Sequence, residues 1–290
     1  MRLTENRKNL IATIADLRLA DLELLQALLG RERDPGRYTF GPKGIERACE
    51  ALVREGYLHR LWKHRDPKFR IDRGSARQIF LLSRRGAGHI GSSPAAGRVA
   101  ERWFAYLKDP RREYVLEHEM MVARFHAACL KSGLEVWRQG QGTQVNLRGI
   151  RFTPDAFFKI GGRFYFLEAD TGNERIYSKD VKRRTIARKV RKYGLADRDE
   201  IPQEQLGVPG FSVVFLAPRR TDPLKLSGRE RSILDAFDQY GQQHKHAKGF
   251  YVLLSETDVL DALRGGGPLP LFAKSGTLNE PSTARPTSPS

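Results

Sequence analysis

Apolar residues recur at helical spacing from the start of the chain. In TENRKNLIATIADL, Thr4 stands where an N-cap belongs, and Leu10, Ile11, Ile14 and Leu17 fall on one face. A second helix is predicted through LADLELLQALLG, stopped by Gly30. After the loop RERDPGRYTF a third helix fits GPKGIERACEALVREGYL. Ile45, Ala48, Cys49, Leu52 and Val53 share one face, and Lys43, Glu46, Arg47, Glu50 and Arg54 take the other. Past Gly56 the period changes from helical to alternating: YLHRLW, a polar loop KHRDPKFRIDRGSA, then RQIFLLS.

Three helices followed by two strands with a basic loop between them is the order of a winged helix-turn-helix. In that fold the third helix enters the DNA major groove and the hairpin touches backbone. Lys43, Arg47 and Arg54 on the third helix, with Lys63, Arg65, Lys68, Arg70 and Arg73 around the loop, are the candidate DNA-binding residues here. Cations of this kind position a protein on phosphates without carrying sequence information.

The stretch RRGAGHIGSSPAAGR (84–98) is rich in Gly, Ser, Pro and Ala, which predicts a flexible connection, with a linker helix around Arg98–Leu107. A long amphipathic helix follows in YVLEHEMMVARFHAACLKSG, with Leu116, Met120, Ala123, Ala127 and Leu130 toward a core. Strand-like and helix-like runs then alternate: LEVWRQ, GIRFTPDAFFKI, a Gly161-Gly162 turn, RFYFLEAD, a basic helix from Glu174 to Tyr193, FSVVFLAP, GRERSILDAFDQY and GFYVLLSE. This is an α/β layer arrangement. From Gly265 on, Pro, Ser, Thr and Gly dominate and predict a disordered tail. The expected organisation is a DNA-binding domain over 1–83, a linker region over 84–112, an α/β domain over 113–264 and a tail over 265–290.

Charge adds a partner to this outline. Fifty-one Lys and Arg against 34 Asp and Glu give +17 and a pI of about 10.1. Such a surface concentrates polyanions, and double-stranded DNA is the expected one. MRLTENRKNL lacks the apolar core of a secretory signal, and no apolar run is long enough to span a bilayer, so a cytoplasmic location is expected. Cys49 and Cys129 read as reduced core residues. No phosphate-binding glycine loop with Lys-Ser/Thr is present, which argues against ATP dependence.

Candidate chemistry gathers at the strand ends of RFTPDAFFKIGGRFYFLEADTGNE. Residues 164, 166, 168 and 170 share one strand face, so Glu168 and Asp170 point the same way, and the Gly161-Gly162 turn brings Asp155 alongside. Clustered carboxylates of this kind suit Mg²⁺, which takes oxygen ligands and can activate water. The arrangement resembles the PD-(D/E)xK nuclease fold: Pro154-Asp155 and Glu168 match its motif, while Asp170 stands where that family has lysine. Some members supply the lysine from the next helix, which here implicates Lys189, and Glu119 is a further acidic candidate. Asp155, Glu168 and Asp170 are thus the candidate metal ligands and, with Lys189, the candidate catalytic residues of an active site, with Mg²⁺ its cofactor; an inactive site needs none. Carboxylates at strand ends also cap helices or pair with arginines. On the basic segment that follows, Lys182, Arg183 and Arg184 are additional candidate DNA contacts.

Taken together, these pieces resemble the replication-relaxation family of plasmids and other mobile elements, over roughly residues 4–255. The resemblance is carried by the winged helix ending in EGYLHRL, by IFLLSRRGA, by EHEMMVARF, by TPDAFFKI with FLEADTGNE, and by KVRKYGL with its Lys-hydrophobic-x-x-Tyr helix end. It implies DNA binding and a role in plasmid replication, mobilisation or control of DNA topology. Three readings stay open: a DNA-binding factor with a nuclease-like domain that does not cut, a Mg²⁺-dependent endonuclease or nickase, and a protein-interaction module among replication or mobilisation proteins. Winged helices also act as homodimers on two-fold sites.

Overall fold

Four apolar side chains, Leu10, Ile11, Ile14 and Leu17, are buried along α1 (Glu5–Leu17), as their spacing predicts. Thr4 occupies the cap position, but its side chain makes no capping hydrogen bond; its carbonyl accepts from the N–H groups of Arg7 and Lys8 instead. The computed structural model describes residues 3–30, 41–63, 77–91, 94–134, 136–138, 144–147, 149–160, 163–180, 185–208, 210–222, 224–243, 250–265 and 269. The chain has a mixed α+β architecture in two compact units, Met1–Ala127 and Ala128–Ser290.

In the first unit the run expected as one second helix divides in two. Arg18 adopts a left-handed backbone (φ 64) and turns the chain. Leu19–Asp21 then form β1, and α2 covers Leu22–Leu29. Period alone did not reveal the break, because Leu19 and Ala20 are apolar in either conformation. Asp21 marks it: its side chain accepts from the Leu24 N–H at 2.8 Å and caps α2. Helix α3 (Pro42–Arg54) follows, with Ile45, Ala48, Cys49 and Leu52 buried and Lys43, Arg47, Glu50 and Arg54 exposed. Strands β2 (Leu58–Lys63) and β3 (Arg77–Leu82) pair antiparallel from Leu58↔Leu82 to Lys63↔Arg77, and β1 adds to the other side of β3.

Residues 84–112, expected as a connection, carry α4 (Arg84–His89) and α5 (Pro94–Lys108). Helix α5 is fastened to β2: His59 Nε2 lies 2.9 Å from both oxygens of Glu101, and its ring stacks on Phe104 at 4.0 Å. The long helix α6 (Glu113–Lys131) buries Leu116, Met120, Ala123 and Ala127, but Leu130, expected in the core, is exposed.

The second unit is built on a five-stranded sheet in the order β10-β9-β8-β7-β4. Its strands are β4 (Val136–Arg138), β7 (Ala156–Ile160), β8 (Arg163–Ala169), β9 (Phe211–Ala217) and β10 (Tyr251–Ser255). The first three are antiparallel; β8, β9 and β10 are parallel, with helices in the connections. All seven residues of β9 are buried, as a central parallel strand requires. The segment GIRFTPDAFFKI breaks at Pro154: β6 (Ile150–Phe152) pairs with β5 (Val145–Leu147) in a separate ribbon, and β7 joins the main sheet. Helices α7 (Ile186–Arg198), α8 (Ile201–Leu206), α9 (Gly228–Gln243) and α10 (Glu256–Gly265) complete the unit. Its core gathers Phe166, Tyr193, Phe211 and Phe215 among other apolar side chains.

Helix α7 begins later than the sequence predicts. Residues 171–180 are not helical, and Thr185 caps the helix by accepting from the Arg188 N–H. The next free donors, Ile186 N and Ala187 N, are taken by the carbonyls of Arg175 and Ile176 at 3.1 Å each. The loop at 31–40, the segment 64–76, the Gly161-Gly162 turn, and, within the expected tail, 266–268 and 270–290 lie outside the described residues; Leu269 is buried. Cys49 and Cys129 are free and buried; burial, helped by Glu46 and Glu50, pushes the Cys49 thiol up to about 12. Among the described residues no helix is long and apolar enough to cross a membrane.

Candidate functional site

Pro154 ends the ribbon and Asp155 opens the main sheet. The Asp155 N–H donates to Leu167 O at 2.9 Å, and its carboxylate accepts from the Ala169 N–H at 2.8 Å, so the side chain secures the end of β8. One position before Ala169, Glu168 is buried and faces α7. There Tyr193 donates its hydroxyl to Oε1 at 2.5 Å, and the Lys189 ammonium stands 2.9 Å from Oε2. Lys189 and Tyr193 are four residues apart, so one helix face delivers both. Lys189 also meets Glu174 Oε2 at 3.0 Å.

The electrostatics follow from one cation among several carboxylates. Burial would lower the Lys189 pKa, but Glu168, Glu174 and Asp155 outweigh it and raise it, so the ammonium stays charged. Burial raises the Glu168 pKa, Asp155 adds to this, and Lys189 and the Tyr193 hydroxyl oppose it. Tyr193 is raised well above the usual phenol value by burial and by the Glu168 charge, and so remains a neutral donor.

Asp170 has a separate partner. It is 2% exposed, and Arg229 of α9 grips it through Nε to Oδ2 at 2.6 Å and Nη2 to Oδ1 at 2.8 Å. The Gly172 N–H adds a bond to Oδ1, and Arg229 Nη2 also donates to Glu174 O at 2.5 Å. The structure therefore brings Asp155, Glu168 and Lys189 together and commits Asp170 to Arg229.

Tyr193, Glu174 and Arg229 were not among the expected site residues. Tyr193 had a signal in its spacing from Lys189. Arg229 had none, being 59 residues from Asp170. Glu119 lies in the first unit, buried, with its Oε1 3.9 Å from His118 Nδ1. Among the candidate DNA contacts, Lys43, Arg47 and Arg54 are exposed on α3, and Lys63 ends β2. Arg65, Lys68, Arg70, Arg73, Lys182, Arg183 and Arg184 lie outside the described residues.

A Mg²⁺ ion takes an octahedral set of oxygens aimed at one point. Here Glu168 and Asp170 each have both carboxylate oxygens bonded to protein donors, and the two groups serve different cations. Among the described residues no three His, Cys, Asp or Glu side chains gather in position to hold a metal ion. Glu168 and Asp170 are thus each turned to a protein cation in this structure.

Comparison with curated proteins and with solved structures gives no match for this chain. The family model described as replication-relaxation matches residues 12–208 of the 290. That span takes in α3 with its exposed cations, the β2–β3 pair and the whole Asp155–Glu168–Lys189 cluster, and the chain belongs to the replication-relaxation family.

Proposed function

We propose that this protein binds duplex DNA in the replication or mobilisation of a plasmid or other mobile element. In this reading the first unit acts as a winged helix, and the second is a PD-(D/E)xK-like module that keeps the architecture of a nuclease without cutting. The observation that carries DNA binding is the division of α3 into a buried apolar face and a face exposing Lys43, Arg47 and Arg54. An antiparallel strand pair follows directly, and the whole chain carries +17. The saturation of Glu168 and Asp170 by protein donors supports a module that does not cleave.

One observation favours the endonuclease alternative: Asp155, Glu168 and Lys189 interact closely, as the acids and lysine of a nuclease would. A single experiment separates the readings. Supercoiled plasmid is incubated with wild type and Asp155→Ala in Mg²⁺, Mn²⁺ and EDTA, beside duplex-binding titrations over a range of salt. The expected result is binding that weakens steeply with salt and no nicking. Lys43→Ala, Arg47→Ala and Arg54→Ala should each flatten the log–log salt slope by about 0.9 for every phosphate that is no longer neutralised. Absent or salt-independent binding overturns the proposal. Metal-dependent nicking that disappears in Asp155→Ala establishes the endonuclease instead.

A further inference from the structure

We propose that residues 175–179 form a site for single-stranded DNA, in which the Tyr177 ring stacks on an unpaired base while Arg175 and Lys179 meet the adjoining phosphates. The inference rests on the DNA-binding reading above and extends it to strandedness. Arg175, Tyr177, Ser178, Lys179 and Asp180 line a shallow cleft that is open to solvent along one side of this strap. Along this strap exposure alternates: Arg175, Tyr177 and Lys179 face solvent, while Ile176 and Ser178 are half-buried. Tyr177 is 48% exposed, so much of its ring is open to a stacking partner.

The root of the strap is fixed. Arg229 Nη2 holds the Glu174 carbonyl, Lys189 holds the Glu174 carboxylate, and the Arg175 and Ile176 carbonyls accept the first N–H groups of α7. Tyr177 therefore projects from a pinned base, which lowers the ordering cost of stacking. Burial and the nearby Asp235 raise its pKa, so its face is that of a neutral phenol.

The chemistry selects an unpaired strand over a duplex. A protruding aromatic face needs a base whose own face is open, and bases in a duplex are stacked on one another. Charge alone would not hold a strand here, because Asp180 also lines the cleft and offsets one of the two cations. Stacking is thus the larger contribution, and Tyr177 should matter more than either cation.

The test is fluorescence anisotropy of the full chain with a labelled thymidine 20-mer and with a duplex of equal length. Variants are Tyr177→Ala, Tyr177→Phe and Arg175→Ala/Lys179→Ala. Tyr177→Ala is expected to weaken the single strand about five- to hundredfold, the loss of one stacked base. Tyr177→Phe, which keeps the ring, should stay within about twofold of wild type, a margin well below the loss of one stacked base, and none of the variants should alter duplex affinity. Equal losses for duplex and single strand, no loss in Tyr177→Ala, or a loss in Tyr177→Phe matching that of Ala would each overturn the site. If wild type binds duplex but not the 20-mer, this inference fails and the DNA-binding reading stands. If it binds neither, both fail.

Discussion

Tyr193 donates its hydroxyl to Glu168 at 2.5 Å in the interior of the second unit, where the tyrosine is 1% exposed and the glutamate 6%. A buried carboxylate that loses such a donor has no water to replace it. Tyr193→Phe removes one oxygen and leaves the ring in place, so the expected cost is about 1.5–3 kcal/mol, the range for hydrogen bonds to charged groups. Urea denaturation measures it. Unchanged stability would mean that Glu168 is held by Lys189 alone.

Lys189→Met should cost more. It leaves Glu168 buried opposite no cation, and breaking a buried pair from one side costs about 3–5 kcal/mol. Glu168→Gln added to Lys189→Met should recover part of the loss, because the remaining group is neutral. If the double variant is as unstable as the sum of the single ones, the two side chains do not act as a pair.

The pH dependence has a definite sign. Burial, then the charge of Asp155, raises the Glu168 pKa above its ordinary 4.5, so the folded chain holds this proton more tightly than the unfolded chain. The stability Glu168 contributes is full below 4.5 and is lost as pH rises through its folded value. Subtracting the stability curve of Glu168→Gln from that of wild type isolates this group. The difference should fall as pH rises from 4.5; a flat or rising difference contradicts the raised value.

Gly194 lies on α7 where a Cβ would run into the ring of Tyr240 on α9. Gly194→Ala forces that ring aside or spreads the helices, at a cost of about 1–3 kcal/mol. In a Tyr240→Ala background the same substitution should be nearly neutral. A thermal-denaturation double-mutant cycle gives the coupling, and an equal cost in both backgrounds would place the strain elsewhere.

Much of this site was legible because it depends on local period. Strand alternation puts Glu168 on one face near the end of β8, while Lys189 was implicated by the resemblance to the nuclease fold, and the two side chains meet across β8 and α7. What the pattern cannot carry is a pairing between distant segments. Asp170 pairs with an arginine 59 positions on, so its expected grouping with Asp155 and Glu168 was drawn from direction alone. The late start of α7 was hidden for a different reason. Charged residues with good helix propensity run through 174–193, and only the carbonyls of Arg175 and Ile176, supplied by the fold, show where the helix begins. In the first unit β1 was concealed by Leu19 and Ala20, which are apolar in helix and strand alike.

The stapling of Arg175 and Ile176 to the start of α7 bears on how this family can diversify. A loop whose two ends are already bonded together can gain or lose residues at small cost, since closure entropy rises by only about 0.6 kcal/mol for each doubling of length. Lys189 lies one turn beyond the staple and keeps its register on Glu168 whatever the intervening segment does. The strap is therefore a place where residues can be added or removed while the acid–lysine frame at its root stays in place.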